Sequence, residues 1–298
     1  MALFEGLSAF PITPADKNGH VDTDGLCRLL MRLERAEVHS VGLLGSTGTY
    51  AYLTRVERQR ATEAAAACLG GKIPLIVGVG ALRTDDAEVL ARDAARSGAD
   101  ALLLAPVSYT PLTEEEVYQH YLAVAGATDL PLCIYNNPGT THFTFSVSLL
   151  ARLARIPNIS AVKMPLPTAS GFSADLRHLR DALPDDFLIG YSGDWGCAQA
   201  LLSGADAWYS VVGGLLPVPA LKLVRAVQVG DTNETQKIDS HFQPLWHLFK
   251  ELGSLRVVYA AAHILSLIDT APPRPILPLS ARDQQRVEVA LDKLSPLS

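Results

Sequence analysis

Short apolar runs recur along the chain, at 7–13, 40–46, 74–80, 101–107, 131–137, 159–164, 187–193 and 207–212, and each ends in small or polar residues. Between them lie segments rich in Ala, Leu, Arg and Glu whose apolar positions follow helical spacing: 23–38, 55–69, 84–97, 114–127, 146–155, 173–182, 196–203 and 217–229. Strand and helix therefore alternate. Most of the runs, such as ALLLAPV and PLIVGVG, are apolar at every second position and also between, which suits parallel strands covered on both faces. The first seven start about 27 to 34 residues apart, and eight such units predict a (β/α)8 TIM barrel. The competing arrangement, a doubly wound sheet, would carry a Gly-rich nucleotide turn after its first strand. The nearest match, Gly78-Val79-Gly80-Ala81-Leu82-Arg83, follows the third run and lacks the last small residue. After Gly230 the strands stop, and helices are predicted over 231–252, 255–267 and 280–294, separated by Gly253 and the Pro-rich stretch 271–278. The expected organisation is a barrel over 1–229 with a C-terminal helical extension over 230–298.

Composition narrows the function classes. Hydrophobic residues make up 48% of the 298 and charged residues 19%, a globular balance. Lys+Arg 25 against Asp+Glu 31 leaves a net charge of -6 with no basic cluster, so a nucleic-acid partner is not expected. The longest apolar runs fall far short of the ~20 residues that a membrane-crossing helix needs. MALFEGLSAF has no basic residue ahead of its apolar stretch, so a secretory signal is not expected and the cytoplasm is the expected location. Cys27, Cys68, Cys133 and Cys197 stand singly and read as reduced, small hydrophobes. The eight histidines form no HxxxH or HExxH pair, and no structural metal is expected.

In a barrel, chemistry sits where strands end at the C-terminal face. Of the seven lysines, only Lys163 lies inside a predicted strand, in ISAVKM. Burying an ammonium is costly unless it is paired or loses its proton. A neutral amine there is a nucleophile for a carbonyl carbon, and the resulting iminium makes carbon-carbon bond cleavage or formation feasible at the adjacent carbon. The alternative is a lysine paired with a carboxylate across the barrel. Tyr135 ends the preceding run, in PLCIYNNPGTT, where its phenol could relay a proton to and from a carbinolamine or serve as an ordinary barrel aromatic. The second run closes in Gly45-Ser46-Thr47-Gly48-Thr49, a tight turn whose hydroxyls and N–H groups suit a carboxylate or simply cap the next helix.

The combination GSTGT after run two, YNNPGTT after run five, AVK in run six and GYSGD after run seven, with the opening PITPADKNGHVD, resembles the dihydrodipicolinate synthase/N-acetylneuraminate lyase family of pyruvate-handling class I aldolases. The likeness spans nearly the whole chain. It implies a Schiff base between Lys163 and pyruvate or another 2-oxo acid, and a proton relay of Tyr135 with Ser46. It further implies carboxylate binding by Ser46 and Thr47, and contact of Gly193 and Asp194 with an aldehyde or sugar-acid second substrate. Asp194 has a second reading, as cap of the helix starting near Gly196. The chemistry needs no metal or organic cofactor, and a homo-oligomer, tetramer or dimer, is implied.

Several positions depart from the family pattern. Thr49 stands where a Glu is usual, and Met164-Pro165 follow Lys163 in place of an acidic residue. Thr140 stands where the synthases place an Arg that holds the aldehyde substrate's carboxylate, and loss of that fork removes a bidentate partner. The synthases' second tyrosine, supplied by a neighbouring subunit, aligns with Ser108, beside which Tyr109 is a substitute. His142 and Phe143 either line a reshaped pocket or pack against the next helix. These differences point to a dihydrodipicolinate synthase-like aldolase or lyase with an altered acceptor site. The alternatives are the synthase activity itself (pyruvate plus aspartate semialdehyde), a 2-oxo-acid-binding protein without turnover, and a sugar-phosphate barrel using Gly213-Gly214.

Overall fold

The computed structural model describes residues 3–168 and 171–297. Eight parallel strands close into a barrel in chain order: β1 (Gly6–Ala9), β2 (Ser40–Leu43), β3 (Leu75–Gly78), β4 (Ala101–Leu104), β5 (Leu132–Tyr135), β6 (Ile159–Met164), β7 (Leu188–Tyr191) and β8 (Ala207–Ser210). Pairing of β1 with both β2 and β8 completes the ring, which excludes the doubly wound sheet. The outer layer consists of α1 (Thr23–Ala36), α2 (Arg55–Leu69), α3 (Thr84–Arg96), α4 (Glu114–Ala125), the single turn α5 (Pro138–Thr141), α6 (Val147–Leu153), α7 (Phe172–Arg180), α8 (Cys197–Leu202) and α9 (Pro217–Gln228).

Local chemistry sets where these helices begin. The side chains of Asp22, Thr54 and Ser146 accept from backbone N–H groups in the first turns of α1, α2 and α6, and Thr113 forms a reciprocal capping box with Glu116 on α4. Apart from β6, the strands are shorter than the apolar runs that announced them. In the run 7–13 only Leu7–Ala9 lie in β1, and Phe10 to Thr13 continue past the end of the strand. That end is where the small and polar residues collect.

Two cores result from the pleat. On β5, Leu132 and Ile134 face the helices while Cys133 and Tyr135 face the barrel axis; on β6, Val162 faces outward and Ala161 inward. Lys163 has the parity of Ala161, so it enters the barrel. Gly42 on β2 is required there, because a Cβ at this position would overlap the Phe10 ring that crosses the interior.

Beyond Gly230 follow α10 (Thr232–Leu248), α11 (Ser254–Ile264) and α12 (Ala281–Asp292). The helix expected to run to 252 ends at Leu248 and passes into a widened π turn over Phe249–Gly253. Gly253 has φ 84°, a backbone region that costs glycine little. Phe242 and Trp246 stack at 4.8 Å and are fully buried, anchoring α10. Among the described residues no helix is long and apolar enough to cross a membrane.

Candidate active site

A cavity of about 890 Å³ opens at the C-terminal ends of the strands. Ser46, Thr47, Tyr135, Thr140, Lys163, Gly193 and Asp194 all contribute to its wall. The strand register puts Lys163 directly beside Tyr135 on one side and Gly190 on the other. Lys163 is 4% exposed, and its Nζ lies 3.7 Å from the Phe10 ring centroid, 4.3 Å from that of Tyr135 and 5.7 Å from that of Tyr209. Three aromatic faces thus surround the amine. Among the described residues no carboxylate pairs with it, which removes the cross-barrel ion pair considered from sequence.

The Tyr135 hydroxyl stands 3.3 Å from Ser46 Oγ and accepts a hydrogen bond of 2.9 Å from Asn137 Nδ2. With the amide donating, the phenolic proton is left for Ser46 or for a bound molecule. Thr47 is buried at 8% exposure, and its hydroxyl makes no hydrogen bond among the described residues. The turn that carries both hydroxyls is tight for a steric reason. A Cβ at Gly45 would lie 2.7 Å from the Phe10 ring, and one at Gly48 would lie 2.8 Å from Leu44 N. Thr49 is left-handed at φ 54° and turns its side chain toward Tyr259 on α11, whose phenol burial pushes up to about 12.

Asp194 is 2% exposed and its carboxylate is fully engaged. It accepts from Trp208 Nε1 at 2.9 Å, Val211 N at 3.2 Å and Val212 N at 2.6 Å. Burial pushes it up to about 6, against the pull of those donors. It does not cap α8, as one reading of the sequence had it; it ties the end of β7 to the turn after β8. Gly193, at φ 92°, lies beneath Leu166, which would sit 2.8 Å from a Cβ there. Thr140 is exposed at the cavity rim and donates from Oγ1 to Asn137 O at 3.3 Å.

Three further stretches singled out in the sequence lie outside this cavity wall. Tyr109 is 96% exposed and absent from the wall of its own chain's cavity; the role implied for it lies toward a neighbouring subunit. His142, left-handed at φ 56°, is exposed, and Phe143 folds back edge-on against Phe145 at 5.0 Å, so neither lines the cavity. Gly213 N and Gly214 N donate to Ser210 Oγ and Val211 O, and a Cβ at Gly214 would overlap the Phe10 carbonyl. That turn is packed shut and offers no phosphate cradle.

Sequence reasoning left Asn137, Tyr50 and Arg58 without roles. Asn137 was visible inside YNNPGTT but its amide's direction was not. Arg58 carried a readable signal, since it shares the buried stripe of α2 with Ala61, Thr62, Ala65 and Leu69. Among the described residues no group of three or more His, Cys, Asp or Glu is arranged to hold a metal.

A family model described as the dihydrodipicolinate synthetase family matches residues 3–294. The chain belongs to that family. Dihydrodipicolinate synthetase family members are class I aldolases and lyases, and the chain is an enzyme of this class. Among its relatives is a 4-hydroxy-tetrahydrodipicolinate synthase of Alcanivorax borkumensis, 33% identical over 93% of this chain and 92% of that protein. A solved dihydrodipicolinate synthase from Agrobacterium tumefaciens superposes with a TM-score of 0.97 at 65% identity, covering 98% of each chain. A chloride-inhibited dihydrodipicolinate synthase from Acinetobacter baumannii, solved in complex with pyruvate, gives 0.88 at 30% identity over 99% of each.

Proposed function

We propose that the chain is a Schiff-base-forming aldolase or lyase that takes pyruvate or a related 2-oxo acid on Lys163. The observation that carries this reading is a buried amine that makes no ion pair among the described residues, set beside a phenol at the floor of a cavity. Lys163 Nζ attacks the keto carbon, and the carbonyl π pair moves to oxygen, which takes a proton from Tyr135. Loss of that oxygen as water, its second proton coming from Nζ, leaves the iminium and a phenolate, and removal of a proton from the adjacent carbon by the Tyr135–Ser46 pair gives the enamine. Ser46 and Thr47 bind the carboxylate through hydroxyls that the protein leaves largely free. The iminium is the electron sink, so the sequence of steps draws on no cofactor.

Thr140, Gly193 and Asp194 belong to the acceptor end. Among the described residues lining the cavity there is no arginine or histidine, and Lys163 is the one lysine. An acceptor carboxylate would therefore find no guanidinium, which supports an altered acceptor preference over aspartate semialdehyde. The names of the relatives favour a second reading, the 4-hydroxy-tetrahydrodipicolinate synthase reaction itself.

Mass spectrometry after borohydride reduction with pyruvate is expected to show one trapped adduct on the Lys163 peptide and none in Lys163→Ala. Absence of an adduct with pyruvate and with every other 2-oxo acid tried overturns the proposal. Turnover of aspartate semialdehyde at the rate of an established synthase selects the second reading.

A further inference from the structure

Arg58 is buried at 7% exposure, and among the described residues no carboxylate pairs with it. Its NH1 and NH2 donate to Gly80 O at 3.1 Å and Gly78 O at 2.7 Å, while Nε has no partner among the described residues. Burial alone brings this guanidinium down to about 10. A buried cation without an anion is expensive, and two carbonyl oxygens at the end of β3 offset only part of the cost. The guanidinium also lies over the ring of Tyr50, whose centroid is 5.2 Å from its carbon.

Tyr50 begins the single helical turn Tyr50–Tyr52 that follows the Ser46-Thr47 turn, and it lines the same cavity. The phenols nearest the amine are already engaged: Tyr135 by Asn137 and Ser46, and Tyr209 by Cys133 Sγ at 3.5 Å. The Tyr50 hydroxyl makes no hydrogen bond among the described residues, although burial pushes it up to about 12 and so keeps it protonated at neutral pH. A half-buried donor facing a cavity without a protein partner is set up to bond what enters that cavity.

We propose that Tyr50 is a further acceptor-binding residue, its hydroxyl donating to the carbonyl oxygen of the second substrate, with Arg58 as the positioning residue that holds the ring in place. This rests on the imine reading for Lys163. In the addition direction the enamine carbon bonds to the aldehyde carbon and the carbonyl π pair moves to oxygen. That oxygen takes the proton that enamine formation left on the Tyr135–Ser46 pair, and water then hydrolyses the iminium. Tyr50 keeps its own proton and stabilises the negative charge as it develops.

The test separates the donor half from the acceptor half. Exchange of pyruvate methyl protons in D2O, followed by NMR without any aldehyde, reads enamine formation alone. Turnover of pyruvate with aspartate semialdehyde, glyceraldehyde or benzaldehyde reads the whole reaction. Tyr50→Phe is expected to exchange at the wild-type rate while kcat/KM for the best aldehyde falls on the order of 10²-fold. Arg58→Met is expected to lose as much, and Arg58→Lys to recover part, since an ammonium keeps the charge but not the fork. If Arg58→Met does not fold, Tyr50→Phe and Arg58→Lys still decide the matter. Wild-type acceptor kinetics in Tyr50→Phe, or a loss of exchange in step with turnover, overturns this proposal and leaves the imine reading standing. No exchange in the wild type overturns both, and exchange without turnover of any of the three aldehydes overturns the acceptor role alone.

Discussion

Asp194 shows how a single carboxylate at the edge of a reactive cavity can be spent on architecture. Two oxygens meet three donors, from Trp208, Val211 and Val212, so replacing one oxygen by an amide NH2 sets donor against donor. Asp194→Asn is therefore expected to cost about 1–3 kcal/mol in denaturant unfolding. The linkage has a definite sign. The folded-state value, about 6, lies above the ordinary carboxylate range, so the folded chain binds this proton more tightly than the unfolded one. The stability it contributes is fully present below about pH 4 and is lost as pH rises through about 6, on the order of 2–3 kcal/mol. The gap between wild type and Asp194→Asn should widen on going from pH 7 to pH 4.5, and a gap that narrows would show that the carboxylate is not held as described.

At the level of elements, the site depends on where backbone can pass close to ring. Phe10 leaves β1 and crosses over Gly42 of β2 to reach the Lys163 amine. Gly42→Ala is expected to displace that ring, lower stability by about 1–3 kcal/mol and slow the trapping of pyruvate; unchanged trapping would mean that the aromatic face is dispensable. This dependence also explains what could be read in advance. Apolar runs such as ALLLAPV announced β4 because burial on both faces leaves a compositional trace, and Lys163 announced itself as the one lysine breaking such a run. The loop geometry left no comparable trace. Whether Tyr109 turns inward, whether Phe143 meets Phe145 or the cavity, and which backbone Asp194 grips are decided by φ angles and packing between segments distant in sequence. Asn137 lies within YNNPGTT, yet only the fold shows its amide donating to Tyr135.

For the whole molecule, barrel and tail share the cavity. Phe249, Gly253, Ser254 and Leu255 form part of its wall, and Tyr259 on α11 meets Thr49 in the turn after β2. Calorimetry is expected to show one unfolding transition, not separate melting of 1–229 and 230–298, because the tail's contacts run to the strand ends. Two resolved transitions would show the extension to be an independent unit.

The π turn at Phe249–Gly253 gives this sharing a further consequence. An extra residue in a helix is an insertion that the ladder tolerates locally, so the lip it forms can gain, lose or exchange side chains without disturbing the hydrogen-bonded cylinder. The amine has no such latitude, since moving it by one position on β6 would turn it out of the barrel. What the lip presents to the cavity can therefore vary while the strand register keeps the Lys163 amine in one place.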